Sequence, residues 1–245
     1  MADSKRECVF CGSRELSKEH IIAEWLLKEL GVWEQDVQMS HVNFVGPISE
    51  RKHAFSKLVN GLVCEKNCNN GWMSSLENVC KEHIKNLMLL DKIKEEIAYM
   101  KENCSDLSRW AFKNAILLNS AVNYRTLVPD SHYKELYDGH IPANVHIDLS
   151  FTLDESIIGW RQSIPSLIIR PANVPLDMQK LAGSYNITFQ FRHLLIKTAF
   201  LNSSMNTYLE DDGTIALFPK FGFKGDFRVF SDIDEFDIHG VLHEY

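Results

Sequence analysis

The sequence predicts an α+β protein: a cysteine-bearing amino-terminal part rich in helix, followed by an antiparallel sheet packed on a helix. Three observations carry this. All six cysteines fall within the first 104 of 245 residues. Apolar residues recur at helical spacing three times before residue 104 and once soon after it. Beyond residue 145 they alternate with a period of two, the mark of strands with one apolar face. The expected division is 1–104 and 105–245.

In the first part, Ile21, Ile22, Trp25, Leu26, Leu27 and Leu30 form a helical stripe that Gly31 can stop. Residues 32–56 read as irregular, with Gly46-Pro47 as a turn signal. Phe55 to Val63 is a short strand candidate. A helix is expected from about Asn70 through Trp72, Leu76, Val79 and Cys80 to Ile84 and Leu87. Another spans about Asp91 to Lys101, with Ile93, Ile97 and Met100 on one face.

The second part opens with a helix at 106–122, capped by Ser105 or Asp106 and carrying Leu107, Trp110, Ala111, Leu117 and Leu118. Val145, Ile147, Leu149, Phe151 and Leu153 alternate as a half-buried strand, and Tyr185, Ile187, Phe189 and Phe191 do the same. Asp212-Gly213 signals a hairpin before Thr214–Phe218. Phe227 and Val229 suggest a last strand.

Composition narrows the function classes. Hydrophobic residues make up 45% and charged residues 24%, which is globular rather than disordered. No apolar run reaches the roughly 18 residues of a membrane span. The start, MADSKRECVFCG, has no apolar secretory core, so a cytoplasmic protein is expected. The formal net charge is −7. Residues 1–104 hold 14 Lys and Arg against 16 Asp and Glu; the remainder holds 12 against 17. The acid excess sits in the second part, which argues against non-specific wrapping of DNA but leaves room for a local basic groove.

The cysteines carry the first chemical signal. Cys8-Val-Phe-Cys11-Gly12 is a knuckle, two thiols two residues apart with a glycine for the tight turn. Cys64-Glu-Lys-Asn-Cys68 supplies a second pair. Two such pairs make a four-thiolate tetrahedral site, the usual arrangement for structural Zn²⁺. Cys80 reads as a small buried hydrophobe.

Glu19-His20-Ile21-Ile22 follows the first pair, Asn60 precedes the second, and Cys68-Asn69-Asn70-Gly71-Trp72-Met73 closes the series. Over residues 8–80 this order resembles the HNH (ββα-metal) endonucleases, in the subgroup stapled by a four-cysteine zinc site. The resemblance implies a strand–strand–helix unit around one further metal, Mg²⁺ or Mn²⁺. It implies His20 as general base, Asn60 as the residue orienting its imidazole, and Glu19 and Asn69 as ligands of the catalytic ion, with Asn70 as substitute for Asn69. The chemistry suits these types. A neutral imidazole takes a proton near neutral pH, and a hard cation prefers carboxylate and amide oxygens. The chain departs from the subgroup at Ala23, where many relatives have Pro, and in having Glu rather than Asp as first ligand.

The substrate implied is DNA, with RNA as the alternative, in a setting such as phage defence or restriction. The rival expectation is a catalytically silent zinc-stapled nucleic-acid-binding module. Arg51, Lys52, Lys57 and Lys66 are candidates for a phosphate-contacting patch, and His41 and His53 lie between the strands. Residues 105–245 carry no chemical motif. Recognition, dimerisation or ligand sensing is expected of them, with a homodimer or a regulatory partner as the assembly. His239 and His243, four apart, are not expected to bind metal, and Arg161, Arg170 and Arg192 read as structural.

Overall fold

The computed structural model describes residues 6–43, 46–120, 127–175 and 177–245. It is α+β, with helices and antiparallel sheets in similar measure. The elements run β1 (Leu16–His20), α1 (Glu24–Glu29), β2 (Asp36–Asn43), β3 (Gly46–Ala54), β4 (Val59–Cys64), a wide helical turn (Glu65–Met73), α2 (Ser74–Met88), α3 (Ile93–Asn119) and α4 (Asp130–Tyr137). Then follow β5 (Val145–Thr152), β6 (Ile158–Ser163), β7 (Ile168–Ile169), α5 (Met178–Ala182), β8 (Tyr185–Phe191), β9 (Leu194–Phe200) and β10 (Thr207–Glu210). The chain closes with β11 (Thr214–Phe218), β12 (Gly222–Lys224), β13 (Val229–Phe230), α6 (Ile233–Ile238) and β14 (Val241–Glu244).

In the first part β1 pairs antiparallel with β4, and α2 follows. The segment expected to be irregular is instead a ribbon in which β2 and β3 pair antiparallel. Val37 and Met39 alternate with Gln38 and Ser40, a period-two pattern too short to stand out in the sequence. The ribbon tolerates Pro47 because, among the described residues, no further strand lies beside it that would need the missing N–H. Gly46 and Pro47 lie in β3, paired with Asn43 and Val42, rather than in a turn; residues 44–45 lie outside the described residues.

The helices expected at 91–101 and 106–122 are one helix, α3, bent at Asn103 (φ −124°, ψ 27°). The Asn103 amide donates to the Tyr99 carbonyl, a local bond that competes with the helix ladder and bends it. From Trp110 to Asn119 every residue of α3 is buried. A helix buried all round has structure on every side. On one side Trp110 meets Phe189 and Phe191 edge-on. On another, Trp110 and Lys113 reach α2. Thus α3 crosses residue 104 and its flanks serve both parts. The expected last turn at 121–122 lies outside the described residues.

The large sheet runs β12-β11-β5-β9-β8-β6, with β13 beside β5 in parallel, and a small sheet β10-β14-β7 lies apart from it. The strand at 145 is expected to be half-buried, yet all eight residues of β5 are buried. Its polar residues His146, Asp148, Ser150 and Thr152 bond to Thr207, Lys224, Arg228 and Ser231 respectively. Alternation marks which face is apolar; segments packed later cover the other. Two buried ion pairs bind that cover, Lys224 to Asp148 at 2.6 Å and Lys197 to Asp211 at 2.9 Å. Val79 and Leu153, expected in apolar stripes, are exposed, and Phe227 precedes β13. No helix among the described residues is long and apolar enough to cross a membrane.

Candidate metal centre

The four cysteines of the two pairs converge. Cys8 and Cys11 sit on a turn closed by the Gly12 N–H on the Cys8 carbonyl at 2.9 Å, with Gly12 at φ +73°, a conformation glycine adopts without strain. The Val9 N–H donates to the Leu62 carbonyl, docking this knuckle on β4. Cys64 ends β4 and Cys68 lies in the helical turn. The turn is tight at Gly71, where a Cβ would stand 2.8 Å from the Lys66 carbonyl oxygen.

All four sulfurs lie within 4.8 Å of one another, with Cys8–Cys68 at 3.7 Å and Cys11–Cys64 at 3.3 Å. A tetrahedral Zn²⁺ with bonds of about 2.3 Å sets its sulfurs roughly 3.8 Å apart. None of the four is in a disulfide. The Cys8 thiol is pulled down to about 4 by the hydrogen bond from Cys68 and by nearby N–H groups. The same contact, with burial, pushes Cys68 up. Four thiols this close cannot all ionise without a cation among them, and a metal ion such as zinc fits the donor set. Cys8, Cys64 and Cys68 are buried, so the centre is closed, as a structural site requires. Among the described residues it is the one group of His, Cys, Asp and Glu with metal-holding geometry. Phe10 and Trp72 meet edge to face beside it.

The remaining site candidates lie on the same ββα unit. In the β1–β4 register Glu19 stands opposite Asn60 and His20 opposite Val59. A bulge intervenes: Ser17 faces Val63, so β4 has one residue more than β1 between the two points. Asn60 stabilises that bulge. Its side-chain oxygen accepts the Leu62 N–H at 2.8 Å, and its amide donates to Ser120 Oγ at the end of α3, at 3.1 Å. His20 is half-buried, its ring 5.2 Å from that of Trp33. The Asn69 amide donates to Ser17 Oγ at 3.2 Å, tying the helical turn to β1. Asn70 is exposed.

Glu19 has neighbours the sequence did not single out. Burial pushes its carboxyl up, the Lys113 ammonium opposes that rise, and the Glu77 carboxylate adds to it. Glu77 on α2 is itself buried and accepts from Trp25 Nε1 at 2.6 Å, Trp110 Nε1 at 3.0 Å and Lys113 Nζ at 2.5 Å. The signal was a lone lysine within the apolar run from Trp110 to Leu118. Its meaning depended on a glutamate 36 residues away.

Of the patch candidates, Lys52 pairs with Asp36 at 3.1 Å and Lys66 with Glu15 at 3.4 Å, all exposed. Lys57 and His53 are exposed, and the His41 side chain lies outside the described part. Burial pushes the Cys80 thiol up to about 12, which suits an inert core residue. His239 and His243 reach different carboxylates, Asp211 and Glu210. Comparison with family models, curated proteins and solved structures gave no match for this chain.

Proposed function

We propose that the amino-terminal part is a metal-dependent nuclease of HNH type, stapled by Zn²⁺ and hydrolysing DNA phosphodiester bonds. The observation that supports it is the β1–β4 pairing. It gathers Glu19, His20 and Asn60 at one end of a hairpin, and Asn69 is bonded to β1 from the turn that leads into α2. In this reading Glu19 and Asn69 offer a carboxylate and an amide oxygen to Mg²⁺ or Mn²⁺. When bound, that ion stabilises the negative charge that builds on the phosphate oxygens. His20 takes the proton of the attacking water; half-buried against Trp33, the imidazole is held by packing yet open to solvent. Asn60 fixes the β4 backbone opposite Glu19.

The test is cleavage of supercoiled plasmid with Mg²⁺, Mn²⁺ or Ni²⁺, comparing the native chain with His20→Ala. Nicking by the native chain and silence of the variant is the expected result. Equal cutting by both would remove His20 from the chemistry, and no cutting with any metal would remove the nuclease.

One observation favours a second reading, a zinc-stapled nucleic-acid-binding module without catalysis. The Asn60 amide is engaged at both ends by structural partners, Leu62 and Ser120. In that case DNA binding survives in the same experiment while cleavage is absent.

A further inference from the structure

We propose that Ser120, at the end of α3, is a positioning residue of the candidate site and holds Glu19 in place through Asn60. This rests on the nuclease reading and adds to it a residue from beyond the ββα unit, so that the second part of the chain completes the site.

The Asn60 carboxamide has one orientation. The side chain is 8% exposed, too buried for water to replace a missing partner. The Leu62 N–H at 2.8 Å can only donate, so the Asn60 oxygen faces it. Nδ2 is thereby turned toward α3, where Ser120 Oγ accepts at 3.1 Å. The Ser120 hydroxyl hydrogen goes to the Ile116 carbonyl at 3.4 Å, which leaves the oxygen lone pairs for Asn60. Leu62 and Ser120 together close the β4 bulge.

The bulge sets the register at the metal ligands. Asn60 stands opposite Glu19 and Val63 opposite Ser17, and Ser17 Oγ accepts from the Asn69 amide. A bulge that opens lets β1 slide against β4, and a slip of one residue turns every side chain to the other face. The Glu19 carboxylate and the Asn69 oxygen would then lose their fixed relation.

Ser120 is itself held. Lys113 and Ser120 are seven residues apart, two turns of α3, and lie on one side of it. Lys113 is bonded to Glu77 of α2, so that side faces the ββα unit. The preceding residue, Asn119, is fully buried; its oxygen accepts the Leu127 N–H at 2.9 Å and its amide donates to the Tyr133 hydroxyl at 3.2 Å. Tyr133, on α4, donates to the Ile116 carbonyl at 3.3 Å and meets Phe10 of the zinc knuckle edge-on. On the side of the large sheet, the Gln162 amide of β6 donates to the Leu118 carbonyl at 2.8 Å. The last turn of α3 is thus clamped between the zinc knuckle and the sheet, and its hydroxyl is a fixed acceptor.

The experiment uses the full zinc-loaded chain with Mn²⁺. It measures kcat and KM for nicking of supercoiled plasmid, and Kd for Mn²⁺ by paramagnetic resonance. The native chain is compared with Ser120→Ala, Ser120→Thr, Asn60→Ala and the double variant Asn60→Ala/Ser120→Ala. Zinc content and Tm are recorded for each, and rates are taken well below every Tm. Ser120→Ala is expected to lower kcat about tenfold with KM nearly unchanged, since a catalytic group misplaced by about 1 Å costs up to about 100-fold. Kd for Mn²⁺ should rise about tenfold, as it does when a residue supporting a ligand is lost. Zinc content should stay at the native level, and Ser120→Thr should restore both readouts. Added to Asn60→Ala, the Ser120 change should alter Kd for Mn²⁺ less than about twofold, because residues acting through one bond are not additive. Native kcat and Mn²⁺ affinity in Ser120→Ala, losses that Ser120→Thr shares, or losses that multiply in the double variant overturn the role of Ser120 and leave the nuclease reading standing. If Ser120→Ala does not fold, Ser120→Cys, whose thiol is a weak acceptor, takes its place under the same criteria. A native chain that neither binds Mn²⁺ nor cuts the plasmid overturns the nuclease reading and the role of Ser120 with it.

Discussion

Cys68→Ser removes one of four sulfurs from the closed centre, and its cost can be bounded from the chain. The Cys8–Cys68 pair joins residues 60 apart, and the loop between them holds β1, α1, the ribbon and β4. Closing a loop of that length reduces the entropy of the unfolded chain by about 4 kcal/mol at 25 °C in the chain-entropy treatment of cross-links. That is a lower figure, because the metal–thiolate bonds themselves bring structural Zn²⁺ binding to on the order of 10–16 kcal/mol in small peptides. Even the lower figure is a large share of the roughly 5–15 kcal/mol that hold an ordinary domain folded. The variant, or the native chain stripped with a strong chelator, should lose cooperative unfolding of the amino-terminal part. The assay is metal content by emission spectroscopy alongside urea unfolding followed by tryptophan fluorescence, for which Trp25, Trp33 and Trp72 report on this region. One Zn²⁺ per chain is expected, falling to near none in Cys68→Ser. A native chain that unfolds cooperatively at the same urea concentration before and after its metal is stripped would refute the reasoning.

Three more outcomes follow from particular side chains. Lys113→Met leaves Glu77 buried and unpaired and should cost about 3–5 kcal/mol; adding Glu77→Gln should recover much of it, and a loss below about 1 kcal/mol by urea titration would show that the pair does not hold α2 to α3. Gly71→Ala sets a methyl 2.8 Å from the Lys66 carbonyl and should cost about 1–3 kcal/mol, read as a lowered Tm together with weaker zinc retention. Burial lowers His132 from 6.5 to about 4. The unfolded state therefore binds the proton first, and the stability this histidine supports above pH 6.5 drains away as pH falls toward 4. At pH 5 the loss relative to pH 7.5 is about 2 kcal/mol. His132→Phe should flatten the stability–pH curve by that amount, whereas an unchanged curve would place the acid sensitivity elsewhere, in His146 for example, which burial lowers in the same way.

Local signals read correctly where one element decides its own state. The stripe expected from about Asn70 became α2, which starts at Ser74 beyond the break at Gly71, and the stripe at 93–118 and the alternations at 145–151 and 185–191 became a helix and two strands, because each is long enough to bury an apolar face. The cysteine pairs were legible because a knuckle needs two thiols and a glycine within five residues. The ribbon of β2 and β3 was missed because its apolar residues are few and, among the described residues, its two strands pair only with each other.

The sequence by itself determined the α+β class and the two cysteine pairs, together with the order of Glu19, His20, Asn60 and Asn69, since each depends on residue type and short spacing. Only the tertiary structure decided what surrounds them. Asn60 closes a bulge and reaches Ser120, Glu77 collects two tryptophans and a lysine, and α3 runs through residue 104 to pack against both parts. A buried charge must find its counter-charge within a few ångströms, and the residue that supplies it is chosen by how helices and strands cross, which sequence spacing does not encode.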